Sequence, residues 1–226
     1  MCEQSFQLET RYPGLLIGTG YPHGYSGQKE AIQVGFHFDY ATGLPVIPGS
    51  SVKGALRNPF AQWPEYVKEL LPAATSRDVT DLDAALFENA ECVFFDAWPV
   101  KPQRPSRLLF GTDYITPHTA TTPNKATARH KATAPDEVPP GYEGLIEPIP
   151  VPILKVLPQV VYVFRFRLPE TIGALKRVEV LGLLRQLILD LGLGARTNLG
   201  FGVFAPVEHP VPMPMVLRPS EAETKP

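Results

Sequence analysis

The stretch LKRVEVLGLLRQLILDLGLGARTNLGFG, residues 175–202, decides the fold. Leu175, Val178, Leu181, Leu184, Ile188 and Leu191 recur at spacings of three and four, while Lys176, Arg177, Arg185 and Asp190 populate the other faces. That period predicts an amphipathic helix. Gly192 ends it, because glycine enters the left-handed conformation after a helix without a Cβ penalty. A Gly-rich segment then runs into a strand, Phe201 to Val207.

Upstream of this unit two strands, Pro150 to Val156 and Val160 to Leu168, are joined by Leu157-Pro158-Gln159. Before them, Glu91 to Trp98 is rich in β-branched and aromatic residues and reads as a strand, with Arg107 to Ile115 able to pair with it. Residues 4–17, containing Arg11 and Pro13, suit a bent strand, and Ala31 to Phe38 alternates with period two. The turn-rich loop Gly18 to Gly27 separates those two. A serine N-cap at Ser50 or Ser51 opens a helix that Pro59 should shorten or kink; a second piece follows Pro64 and a third spans Leu82 to Asn89. The order strand, helix, strand, strand, helix, strand predicts an α+β, ferredoxin-like (RRM-like) antiparallel sheet with helices on one face and long insertions. We expect a single domain over residues 1–205 and an extended Pro-rich tail over 206–226.

Composition bounds the partners. A chain of 226 residues with 44% hydrophobic content buries roughly 70–75% of its unfolded surface, so it needs no staples. Its formal net charge is -2, so any polyanion must meet a local patch. Cys2 and Cys92 have no metal or redox spacing, and no metal or cofactor is expected. Glu3 stands where a secretory signal carries lysines, and no apolar run approaches a membrane span, which points to a soluble cytoplasmic protein with no membrane partner.

Thr116 to Gly144 is rich in Thr, Ala and Pro, with almost no large aliphatic side chain, and cannot bury enough surface to fold alone. It reads as a long loop or protruding arm. Lys125, Arg129 and Lys131 lie in a stretch without carboxylates from Tyr114 to Pro135, with His118 and His130 nearby. Either an ordinary charged surface loop or an arm touching a nucleic-acid backbone fits this pattern.

Two turns carry the chemistry. In Ile47-Pro48-Gly49-Ser50-Ser51-Val52-Lys53-Gly54-Ala55-Leu56-Arg57, helix-start amides and serine hydroxyls can meet an anion, with Lys53 and Arg57 on one face at i and i+4. An ordinary helix with its cations in solvent is the plainer alternative. No Gly-Lys-Ser/Thr follows at Walker A distance, which excludes a P-loop nucleotidase. The second turn, Gly192 to Gly202, follows a helix and is no dinucleotide fingerprint. It is either a helix stop with a bulge or a donor-rich loop in which Arg196, Thr197 and Asn198 sit beside bare backbone amides.

These paired turns resemble the RAMP superfamily of CRISPR RNA-guided effector proteins. Within it, Phe94-Phe95-Asp96-Ala97-Trp98-Pro99 and Asp113-Tyr114-Ile115-Thr116-Pro117-His118 resemble the sixth subunits of type III-B Cmr complexes. The match runs in scattered blocks from Leu15 to Phe204. It implies a non-catalytic backbone subunit that grips CRISPR RNA, caps the filament near the guide's 3′ end and supports target RNA recognition in antiviral defence. Its implied neighbours are the main backbone subunit, the small subunit and the first Cmr subunit. By the resemblance, Ser50, Ser51, Lys53 and Arg57 hold the guide, and the Gly194 to Gly202 loop serves RNA contact or the packing that supports it. Residues 116–144, with Lys125, Arg129 and Lys131, occupy the place of a thumb-like hairpin, though with few aliphatic wedges.

Related subunits cleave target RNA with a metal and an aspartate ahead of the first turn, where this chain has Glu30 and Asp39. The alternative reading is therefore a RAMP endoribonuclease that cleaves target RNA, or one that processes CRISPR RNA with His23 as general acid or base. Asp39 beside Tyr40-Ala41-Thr42-Gly43 also fits a plain turn aspartate.

Overall fold

The central strand is Val160–Arg167, whose alternation sends Tyr162, Phe164 and Phe166 to one face and Val161, Val163, Arg165 and Arg167 to the other. In the computed structural model, which describes residues 3–17, 36–72, 79–102, 108–115, 151–208 and 210, this strand is β6. The strands in chain order are β1 (Glu3–Thr10), β2 (Val93–Phe94), β3 (Trp98–Pro102), β4 (Phe110–Ile115), β5 (Val151–Val156), β6, β7 (Thr171–Ile172), β8 (Leu175–Lys176) and β9 (Phe204–Pro206). The helices are α1 (Gly49–Gln62), α2 (Pro64–Leu70), α3 (Val79–Asp83), continued by a π turn at Ala84–Glu88, and α4 (Arg177–Leu191).

β6 pairs antiparallel with β1 on one edge and with β2 and β3 in succession on the other, and β9 closes the far side of β1. Counting β2 and β3 as one interrupted strand, this is the sheet order of the ferredoxin-like split βαβ fold. Both long helices cover the Tyr162, Phe164 and Phe166 face. Val52, Leu56 and Phe60 of α1, and Val180, Leu183, Leu184, Leu187 and Ile188 of α4, share one buried cluster with Leu8 and those aromatics. Phe164 is fully buried, stacks on Phe6 at 5.4 Å and meets Phe204 edge-on at 5.6 Å, the geometries that aromatic quadrupoles favour. Buried Thr10 locks the sheet end, accepting from Val160 N–H (3.0 Å) and donating to the Leu157 carbonyl (2.9 Å).

The structure departs from the sequence reading in several of its elements. α1 runs through Pro59 to Gln62, because Pro59 and Phe60 are buried against the core and packing outweighs the lost backbone bond. β4 pairs with β5 over Phe110–Ile115 and Val151–Val156, not with residues 91–98, whose strands pair with β6. Residues 116–150 therefore connect the two strands of a separate ribbon. The buried stripe of α4 is shifted: Val178 is 78% exposed, and Leu175 belongs to β8. The strand of residues 91–98 breaks between Phe94 and Trp98. Residues 31–35, the 18–27 loop, the 116–144 arm and most of the tail lie outside the described residues, while Phe38 bridges to Pro45.

Removing a fully buried ring at the centre of the sheet should be costly. Phe164→Ala is expected to lower unfolding free energy by about 3–5 kcal/mol, read as a lower urea midpoint at an unchanged m-value.

Candidate nucleic-acid interface

The break between β2 and β3 is where the first turn is held. Phe95 N–H donates to the Arg165 carbonyl of β6 at 3.1 Å, while Ala97 exchanges both backbone hydrogen bonds with Ile47 at 2.9 and 3.0 Å. Gly49 N–H then donates to Asp96 Oδ1 at 2.7 Å. Pro48 occupies the N-cap and has no acceptor side chain, so Asp96 supplies from the sheet edge what a capping serine supplies locally. This corrects the expected serine cap: α1 begins earlier, and Ser50 and Ser51 stand exposed in its first turn. A Cβ on Gly49 would lie 2.2 Å from the Phe94 carbonyl oxygen, so only glycine permits this approach.

Lys53 follows one turn later, half-buried, with Nζ 5.8 Å from the Phe94 ring centroid, within cation–π reach. Arg57 is differently placed. Its Nε donates to Asp83 Oδ1 at 3.0 Å, and its terminal nitrogen donates to Asp83 Oδ2 at 2.6 Å and Glu88 Oε1 at 2.7 Å. The hydrogen bonds to Asp83 and then Glu88 hold the guanidinium ionised even more firmly than usual. The structure thus gives Arg57 a bidentate partner in α3 and another in the π turn, where the sequence reading placed a guide contact.

In the second turn the glycines serve backbone packing. Gly192 closes α4 at φ 71°, Leu193 N–H donates to Gly202 O (2.9 Å), Ala195 N–H to Leu16 O (2.7 Å) and Gly202 N–H to Gly14 O (2.8 Å). Gly202, at φ 73°, would place a Cβ 2.1 Å from the Leu193 carbonyl oxygen. Phe201 and Ala195 pack with Leu16 and Ile153 of β5. Lys155 of β5 lies 5.8 Å from the Phe201 ring centroid and donates to Asp113 Oδ2 of β4 at 2.6 Å, which holds that carboxyl below its ordinary range. Loop and ribbon are thereby tied together, and Arg196, Thr197 and Asn198 stand exposed at the loop tip, Arg196 in the left-handed region.

Other candidates are placed as follows. Asp39 Oδ2 accepts from the Thr42 hydroxyl and the Thr42 N–H, both at 2.8 Å, bonds that hold its carboxyl below its ordinary range and close the turn before Leu44. His23, Glu30, Lys125, Arg129 and Lys131 lie outside the described residues. Cys92 is a free thiol whose burial pushes its pKa up. Among the described residues no three His, Cys, Asp or Glu side chains gather as a cation site, and no helix is long and apolar enough to cross a membrane.

Sequence reasoning missed the far side of the same sheet edge. The guanidinium carbons of Arg165 and Arg167 both lie 5.6 Å from the Phe95 ring centroid. The signal was present in the alternation of Phe164-Arg165-Phe166-Arg167, which puts both arginines on the face opposite the core.

The model of the RAMP superfamily matches residues 7–205, and the chain belongs to that family. No curated protein matches it. Its fold is similar to a chain in the cryo-EM structure of type III-B Cmr-beta bound to cognate target RNA, with a TM-score of 0.56 and 24% identity, covering 89% of this chain and 57% of that one. The fold is also similar to the crystal structure of Cmr6 from Pyrococcus furiosus, with a TM-score of 0.52 and 18% identity, covering 91% of this chain and 98% of that one. This chain thus spans little more than half the length of the first of these two matched chains.

The glycine at the first turn gives the sharpest structural test. Gly49→Ala should force Asp96 and Phe94 away from α1 and destabilise the chain by about 1–3 kcal/mol, whereas Gly54→Ala, which meets nothing within 4 Å, should not. Thermal unfolding of the two variants separates these outcomes.

Proposed function

We propose that the chain is a non-catalytic RNA-binding subunit of a type III-B (Cmr) CRISPR effector complex. In this reading it caps the filament near the 3′ end of the CRISPR RNA, beside the main backbone, small and first Cmr subunits, and supports recognition of target RNA. Residues 1–205 act as one RAMP domain, with the 116–144 arm inserted between β4 and β5.

The observation that carries the reading is the first turn. Membership of the RAMP superfamily supplies the class, and the turn supplies exposed Ser50 and Ser51 hydroxyls and Lys53 on a helix start anchored to the sheet by Gly49 and Asp96. Hydroxyls and an ammonium fixed on a rigid element can follow a sugar-phosphate chain without reading its sequence. The Arg196, Thr197 and Asn198 tip adds donors on a loop braced against β5. The folds it resembles are Cmr chains, one in a structure bound to target RNA. The Asp39 carboxylate, engaged by Thr42, is a turn-closing group in this account.

Single-stranded RNA binding measured against salt tests the proposal. Lys53→Ala should weaken binding and flatten the slope of log K against log salt by about 0.7, the value of one lost phosphate contact, with thermal stability retained. Arg57→Gln should do the reverse, lowering the melting temperature through the freed Asp83 and Glu88 while leaving the salt slope unchanged. RNA cleavage by the purified chain, abolished by His23→Ala or Asp39→Ala, would instead establish the endoribonuclease reading.

A further inference from the structure

We infer that the sheet face opposite the helices, covered at Val161 and Val163 but exposed at its Arg167 end, carries a base-stacking site for single-stranded RNA, built from Phe95, Trp98, Arg165 and Arg167. The inference rests on the RNA-binding reading above and extends it from phosphate contact to contact with bases.

The face is defined by register. Tyr162, Phe164 and Phe166 of β6 are committed to the helices, so Arg165 and Arg167 project from the opposite side. Trp98 pairs with Val163 across the β3–β6 ladder, which places its side chain on that same side. Phe95, in the break between β2 and β3, has both guanidinium groups 5.6 Å from its ring centroid. Phe95 and Trp98 are half-buried rather than covered. Planar aromatic and guanidinium groups side by side are the surfaces on which unpaired bases stack, a mode that tolerates any sequence because every base has a π-face.

The charges on this face favour a polyanion. Across β1, Ser5 stands opposite Arg165 and Glu3 opposite Arg167. The Glu3 carboxylate lies 3.5 Å from a terminal nitrogen of Arg165, and that arginine's Nε is buried with no hydrogen-bond partner. Among the described residues Arg167 has no carboxylate partner, and its side chain is exposed. Asp96, beside Phe95, already accepts from Gly49 N–H. The exposed Arg167 guanidinium, without an ion pair among the described residues, is a group that a phosphate or a base edge can complete, while the buried Arg165 Nε holds that arginine against the sheet.

Position joins this face to the first turn. An ideal Cβ on Gly49 would stand 3.1 Å from the Phe95 carbonyl carbon, so the chain that carries Phe95 touches the start of α1 directly. A strand whose phosphates follow Ser50, Ser51 and Lys53 reaches the edge of the sheet at Phe95, where its bases can turn onto the exposed end of the second face beside Arg167.

The test compares a 12-nucleotide uridine oligomer with an abasic oligomer of the same length, titrated into the full chain and followed by anisotropy of a label on the RNA. The wild-type chain should bind the base-bearing oligomer more tightly, and Phe95→Ala should lose roughly 5- to 100-fold for it while binding the abasic oligomer unchanged. Phe95→Trp should retain the preference, and Phe95→Leu, which keeps an apolar filler for the break but no flat ring, should lose it. Arg167→Gln should weaken both oligomers and flatten the salt slope by about 0.7. Equal binding of the two oligomers by the wild-type chain, or a base preference surviving in Phe95→Leu, overturns the inference. If Lys53→Ala weakens binding while Phe95→Leu does not, the stacking site is wrong and the RNA-binding reading stands; no binding by the wild-type chain overturns both. Unchanged RNA binding in Phe95→Leu, with loss of a copurifying protein subunit, would assign the face to protein contact instead.

Discussion

The short segment Phe95-Asp96-Ala97 is the constraint on which the rest of the architecture depends. It is held by β6 through the Arg165 carbonyl, by the chain entering α1 through the Ile47 bridge, and by the α1 start through Asp96 and Gly49. Such a junction costs one interrupted strand, β2 and β3 in place of a continuous edge. In exchange the first helix has a defined start and height above the sheet, which no local cap provides because Pro48 lacks the side chain for one. Everything exposed around the junction, from Ser50 to Arg167, inherits its position from these few bonds.

A second lock holds the other end of the domain. The Gly-rich segment after α4 lies against the chain at residues 14–16 and against β5, closely enough that its backbone carbonyls leave no space for side chains at Gly202. Lys155 joins that loop to Asp113 on the ribbon between whose strands residues 116–150 run. The loop and the ribbon are therefore joined both by this cation and by the packing of Phe201 and Ala195 on Ile153. A conventional reading of glycine-rich loops as flexible ligand cradles does not describe this one, whose glycines permit tight packing with Leu193 and Phe201 buried, while Arg196, Thr197 and Asn198 at the tip face outward.

Much of the architecture was legible in residue order. Two amphipathic helices between strands of alternating pattern specify a ferredoxin-like layout, and the alternation of Phe164-Arg165-Phe166-Arg167 separates the helix-covered face from the opposite one. What escaped sequence reasoning depended on contacts between distant residues. Arg57 at i+4 from Lys53 reads as a free cation until Asp83 and Glu88, brought back by α3 and its π turn, are seen to occupy it. Pro59 reads as a helix breaker until its burial is known, and the serines after Pro48 read as caps until Asp96 takes that role from another element. The pairing of β4 with β5 was hidden because adjacency in sequence suggested a different partner, while the true one lies beyond a long insertion. The two candidate turns were recognisable as motifs, yet their division of labour, anchoring glycines with exposed neighbours, belongs to the tertiary structure.

The central claim is that one continuous surface, the first turn and the sheet edge that holds it, meets RNA. The most direct measurement is a map of ultraviolet RNA cross-links on the chain within a ribonucleoprotein copurified from cells expressing its native partners. The account predicts adducts concentrated at residues 49–53, 94–98 and 165–167, with a lesser set at 196–199. Adducts confined to the outer surfaces of α2 and α4, or a complex that assembles with no RNA against this chain, would contradict it.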